Sequence, residues 1–223
     1  MEGRGAGGGG GLAVLVVVML SLAVELAYAD PDMLQDLCVA DLSSGVKVNG
    51  FLCKENVTAE DFFFAGIANP GPTNNTLGSL VTGANVLKIP GLNTLGVSLS
   101  RIDYAPGGLN PPHTHPRASE VVYVLDGTLT VGFITTANVL VSKTISKGEV
   151  FVFPKGLVHF QKNNAITPAS VLSAFNSQLP GTQSIAATLF ASTPPVPDNV
   201  LSKAFQVSTL QVQTIKARLA PKP

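Results

Sequence analysis

From about Ala84 to Phe190 the chain breaks into short β-rich runs separated by turn residues, a texture that leaves few folds open. The runs are Ala84–Ile89, Leu95–Tyr104, Glu120–Leu125, Thr128–Ile134, Val139–Ile145, Glu149–Phe153, Leu157–Gln161, Ser170–Asn176 and Ile185–Phe190. Leu129, Val131 and Phe133 alternate along one run, and Val97 and Leu99 along another. A period of two marks a half-buried strand. Asp126-Gly127, between two runs, signals a hairpin. Many short strands at this spacing predict an all-β sandwich or barrel of jelly-roll type, with its core at about residues 84–190.

The ends of the chain read differently. Arg4, an apolar run from Leu12 to Val24 and the small-x-small triplet Ala27-Tyr28-Ala29 form a cleavable signal peptide over residues 1–29. The alternative is a membrane anchor, but a spanning helix needs about 20 apolar residues and this run is shorter. Residues 30–223 then form a single domain. Secretion into an oxidising compartment predicts a disulfide between Cys38 and Cys53, the only two cysteines. That bridge pins an otherwise irregular N-terminal stretch. Two sequons, Asn56-Val57-Thr58 and Asn74-Asn75-Thr76, make Asn56 and Asn74 candidate glycan acceptors. Thr58 and Asp61 also fit a capping pair opening a short helix to about Ala65. Pro194-Pro195-x-Pro197 ends the strand pattern. Asn199–Phe205 and Ser208–Leu219 then read as a helical hairpin at about residues 197–219, with Ser208 as N-cap. Val200, Leu201, Phe205, Leu210, Ile215 and Leu219 are apolar, and so short a hairpin cannot cover all of them itself. It must pack on the barrel or on a neighbouring subunit.

Composition closes off other classes. The chain is 45% hydrophobic and 13% charged with zero formal net charge. That is enough apolar matter for a substantial core, and it argues against disorder. No basic stripe suggests nucleic acid, and no segment after the signal is long and apolar enough to span a membrane.

The chain has only three histidines. His113 and His115 fall in Gly107-x5-His113-x-His115-x4-Glu120-x6-Gly127. His159 falls in Gly148-x5-Pro154-x-Gly156-x2-His159-x3-Asn163. Residues i and i+2 of a strand share a face, so His113 and His115 can both point inward. Pro111 and Pro112 stiffen the approach. Pro116 forces a bend that resets the parity, so Glu120 can face the same way from the next strand, with Val122 and Val124 beside it. The turn Pro154-Lys155-Gly156 launches a strand that can bring His159 in from the opposite side. Three imidazoles and a carboxylate, with no cysteine nearby, suit an octahedral Mn(II) or Fe(II) ion completed by two waters. Zinc is a further possibility. Exchangeable positions would admit a small anion or oxygen species.

These two motifs resemble those of the cupins. The stretch from Pro106 to Glu120 and the segment Phe175-Asn176-Ser177-Gln178-Leu179-Pro180-Gly181 are similar to plant germins and germin-like proteins in particular. The resemblance runs over residues 30–223, cysteine pair included. It implies a cupin β-jelly-roll and a manganese ion on His113, His115, Glu120 and His159. It also implies a homohexamer built as a trimer of dimers, with clasped terminal helices, and a secreted glycoprotein of the plant apoplast and cell wall associated with defence and stress. Germins oxidise oxalate to carbon dioxide and hydrogen peroxide, and many germin-like proteins dismutate superoxide. In the oxalate oxidases two asparagines near the metal hold substrate. Asn110 matches one, but Ser100 stands at the other, and its hydroxyl is too short to place an amide donor there. The resemblance therefore implies superoxide dismutase-type peroxide production first. Oxalate oxidase is the enzymatic alternative, and a structural or receptor-like wall protein the non-enzymatic one. Lys147-Gly148-Glu149 resembles an adhesion tripeptide of the family, but its composition reads first as a turn.

Overall fold

The computed structural model describes residues 36–46 and 50–220. The expected signal peptide, residues 1–29, lies outside them. Ten strands form two five-stranded antiparallel sheets among the described residues, the expected jelly-roll sandwich. One sheet runs β1 (Ser79–Ala84), β2 (Ser98–Tyr104), β9 (Ala169–Phe175), β4 (Glu120–Asp126), β7 (Val150–Phe153). The other runs β10 (Gln183–Ser184), β3 (Leu109–Thr114), β8 (His159–Lys162), β5 (Thr128–Ile134), β6 (Leu140–Ser146).

Period-two alternation sets what each sheet buries. In β4, Val122 and Val124 are fully buried while Val121 and Tyr123 lie outside. Ile102, Tyr104, Leu129, Val131, Ile145, Phe153 and Val171 join them in one core between the sheets. Each fully buried side chain of this size contributes about 1.5–3 kcal/mol. Glu120 shares the inward face of Val122 and Val124, as the parity predicted.

Several boundaries differ from the sequence reading, each for a physical reason. Asp126-Gly127 is not a hairpin: β4 and β5 lie in different sheets, and the chain crosses from one to the other there. Gly127 turns the corner at φ +79°, where a Cβ would meet the Pro168 carbonyl at 2.8 Å. The run Ala84–Ile89 is not a strand. The strand ends at Ala84, and the Asn85 side chain accepts from the Leu87 amide at 3.0 Å to form an Asx turn. Leu109–Thr114 is a strand despite Pro111 and Pro112. It carries a register shift between Asn110 and His113, and only the two-residue β10 pairs along its outer side. Prolines are tolerated at such a bulge on a nearly unpaired edge. Ile185–Phe190 is a helix, α1, not a strand. An apolar run this short is ambiguous by periodicity, and its Ala186-Ala187 pair favours helix.

At the N-terminal end Cys38 and Cys53 form the predicted disulfide, with Cα atoms 4.8 Å apart. The Thr58 amide donates to Asp61 at 2.8 Å, but the helix it opens is a single 3-10 turn, Ala59–Phe62. At the C-terminal end α2 (Asp198–Phe205) packs on α3 (Thr209–Leu219). Ser208 caps α3 by accepting from the Gln211 amide. Leu201 of α2 and Val212 of α3 are buried, and Lys216 pairs with Asp198 at 2.6 Å. Val200, Phe205 and Leu210 stay exposed, Leu210 by 72%. No described helix is long and apolar enough to cross a membrane.

Candidate metal centre

His113, His115, Glu120 and His159 converge between the sheets, each at most 5% exposed. Their ligand atoms all lie within 4.8 Å of one another. His113 sits in β3, His115 just past its end, His159 opens β8 and Glu120 opens β4. His159 does not enter from the opposite side: its Cα pairs with that of His113 on the adjacent strand. Glu120 is the residue that reaches in from the facing sheet. The reversal follows from the bend at Pro116, where the chain crosses from the sheet of β3 to that of β4; at Asp126-Gly127 it crosses back.

Each histidine is oriented by a backbone carbonyl. Nδ1 of His113 lies 2.8 Å from the Pro111 oxygen, that of His159 2.8 Å from Leu157, and that of His115 2.6 Å from Gly181. A carbonyl only accepts, so Nδ1 carries the proton and the Nε2 lone pair of the neutral ring is left for the centre. Phe153 stacks on His159 at 4.4 Å between centroids, and Phe175 meets His115 edge-on at 4.8 Å. The Gly181 carbonyl is itself held in place. Arg117 donates from Nε to the carbonyl of Leu179 and from its amide to that of Pro180, the two residues just before Gly181.

The electrostatics call for a cation. Glu120 Oε2 lies 3.1 Å from Nε2 of both His115 and His159. Lone pairs aimed at a carboxylate oxygen repel unless a proton or a metal ion lies between them. Burial alone would raise the Glu120 pKa. With a proton between the nitrogens and the carboxylate, the hydrogen bonds of His115 and His159, together with that of Ser173, outweigh it and hold the carboxyl well below its usual range. Burial, reinforced by the neighbouring His159, pushes His113 down to about 4. The nest thus holds an ionised carboxylate beside an imidazole that resists protonation. A divalent ion satisfies all four donors at once, and three neutral nitrogens with one carboxylate oxygen fit Mn(II), Fe(II) or Zn(II). Cys38 and Cys53 are joined to each other and supply no thiolate.

Three further residues complete the centre, and sequence reasoning missed them. Ser173 Oγ donates to Glu120 Oε1 at 2.6 Å, and Gln161 Nε2 donates to the same oxygen at 3.2 Å. Tyr104, for which the sequence offers no partner, donates from its hydroxyl to Gln161 Oε1 at 3.1 Å. Strand parity could have found Gln161, which lies two residues beyond His159 and therefore shares its face. Asn110 donates from Nδ2 to Gln161 Oε1 at 2.7 Å. A cavity of about 310 Å³ adjoins the centre, and His113, His115, Glu120, Asn110, Ser100 and Phe175 are among its lining residues. Ser100 Oγ is buried at its wall without a hydrogen-bond partner among the described residues. Asn56 and Asn74 lie far along the chain from the metal motifs, and both are exposed. Lys147-Gly148-Glu149 is a turn between β6 and β7, in which the Glu149 carboxylate accepts from the Ser146 amide at 2.7 Å.

A two-sheet jelly roll in which three imidazoles and a carboxylate meet between the sheets defines the cupin class of barrel. The family model described as Cupin matches residues 65–213. Germin-like protein 5-1 of Oryza sativa subsp. japonica is 75% identical over 193 residues, covering 86% of this chain and 87% of that protein. Germin-like protein subfamily 2 member 1 of Arabidopsis thaliana is 73% identical, covering 87% of this chain and 90% of its own length. Among solved structures, recombinant oxalate oxidase in complex with glycolate superposes with a TM-score of 0.82 at 45% identity, over 86% of this chain and 98% of that one. The chain belongs to the cupin family, as one of its germin-like proteins.

Proposed function

We propose that this is a secreted manganese protein of the plant apoplast that makes hydrogen peroxide by dismutating superoxide. The observation that carries the reading is the buried nest of three carbonyl-oriented imidazoles around an ionised Glu120. Manganese held there would supply one-electron redox chemistry, oxidising one superoxide to dioxygen and reducing the next, with two protons from solvent, to hydrogen peroxide. The chain's own part is to hold the donors, keep Glu120 ionised and shape the cavity. A dication with one carboxylate leaves a single net positive charge, which a monoanion neutralises. No lysine or arginine is among the residues lining the cavity. A dianion would therefore leave an uncompensated negative charge in a buried place, at a cost. Charge balance and the short Ser100 hydroxyl both favour superoxide over oxalate.

The likeness to a solved oxalate oxidase supports oxalate oxidation as a second reading. Parallel assays of the secreted, manganese-loaded protein separate the two. The expected result is superoxide-dependent peroxide formation, little oxalate-dependent peroxide, and loss of both metal and activity in His113→Ala. Superoxide activity that survives loss of metal in that variant would defeat the dismutase reading. The disulfide supports an oxidising compartment. The exposure of Asn56 and Asn74 supports glycans at both, and the uncovered apolar residues of α2 and α3 support a homohexamer.

A further inference from the structure

The two oxygens of Glu120 have different surroundings. Oε2 faces the histidine nitrogens, while Oε1 accepts from Ser173 Oγ and Gln161 Nε2. Gln161 is wholly buried, and its amide has one workable orientation. Tyr104 and Asn110 both donate into Oε1 of Gln161, so its Nε2 must point at the glutamate. A flipped amide would set an oxygen against the Glu120 carboxylate, which can only accept, leaving buried polar groups unsatisfied.

We infer that Gln161, oriented by Tyr104 and Asn110, is a positioning residue that reserves one oxygen of Glu120 and makes this carboxylate a one-oxygen ligand. The inference rests on the metal-binding reading of the site. Its consequence is a count of open positions. Four protein donors leave two places in an octahedral shell. If Oε1 were released it could turn onto the ion as a fifth donor and leave one. The Tyr104–Gln161–Ser173 arrangement thus holds the second place open for a small ligand.

The test is proton relaxivity of the Mn(II)-loaded protein, which reads the number of exchanging waters on the ion and needs no substrate. Wild type is compared with Gln161→Leu combined with Ser173→Ala, and separately with Tyr104→Phe, which removes only the orienting hydroxyl and preserves the ring's packing. The inner-sphere contribution should fall about twofold in the double variant, from two waters to one on an octahedral ion. It should fall by a smaller amount in Tyr104→Phe, with altered zero-field splitting in the Mn(II) resonance spectrum of both. Variants that bind Mn(II) with unchanged relaxivity and spectrum would overturn the inference while leaving the metal site intact. A wild-type protein that binds no Mn(II) would overturn both.

Discussion

At the scale of single residues, burial and charge make the centre sensitive to acid. The His113 pKa drops from 6.5 to about 4 on folding. Above pH 6.5 neither state binds the proton and stability is complete. Between pH 6.5 and 4 the unfolded chain takes up the proton first, so stability falls as pH falls, by on the order of a few kcal/mol. Glu120, whose pKa is held below its ordinary 4.5, has the same sign: its contribution is present above 4.5 and is lost as pH drops further. Urea unfolding of chelator-treated protein at pH 7.5, 6 and 5 should show midpoints decreasing in that order, and a flat or rising series would contradict the burial argument. The four converging residues were readable in the sequence because histidine is so scarce here and the spacing matched strand parity. Gln161 was legible only through its parity with His159, and Ser173 and Tyr104 were not legible at all, because a polar residue on an alternating strand looks the same whether it faces water or a buried carboxylate. Only the partner strand decides, and β9 brings Ser173 to Glu120 from more than fifty positions away.

At the scale of elements, the strands were legible where alternation was strong and the turns were not. The run Thr128–Ile134 appears as the strand β5 with those bounds. Asp126-Gly127 has the composition of a hairpin turn, yet it joins two sheets. Turn chemistry specifies local backbone, and which strand pairs with which is settled by the packing of the whole sandwich. Gly127 makes this testable. At φ +79°, with Ala169 and the Pro168 carbonyl within 2.9 Å of an added Cβ, an alanine there is strained twice over. Gly127→Ala should destabilise the fold by roughly 2 kcal/mol or more, read as a lowered thermal midpoint. A midpoint within a degree of wild type would mean that the corner tolerates a side chain. The disulfide acts on the same scale. It closes a loop of 15 residues, so Cys38→Ser with Cys53→Ser should cost about 3 kcal/mol in the chain-entropy account. Equal stability of the oxidised protein and the double variant would refute that account.

At the scale of the whole molecule, the jelly roll brings its donors together by facing one sheet against the other, and it leaves apolar helix surface uncovered. In the proposed hexamer that surface meets neighbouring subunits. Leu210→Asp on α3, at a side chain 72% exposed, should leave the subunit folded but shift sedimentation toward smaller assemblies. An unchanged assembly would take α3 out of the interface. The most direct measurement is the manganese content of protein purified from the secretory medium without chelator, wild type beside His159→Ala. One manganese per chain in the wild type and almost none in the variant is the expected result. Wild-type protein without bound manganese, or a variant that keeps its full complement, would contradict the claim that these three histidines and Glu120 hold the ion.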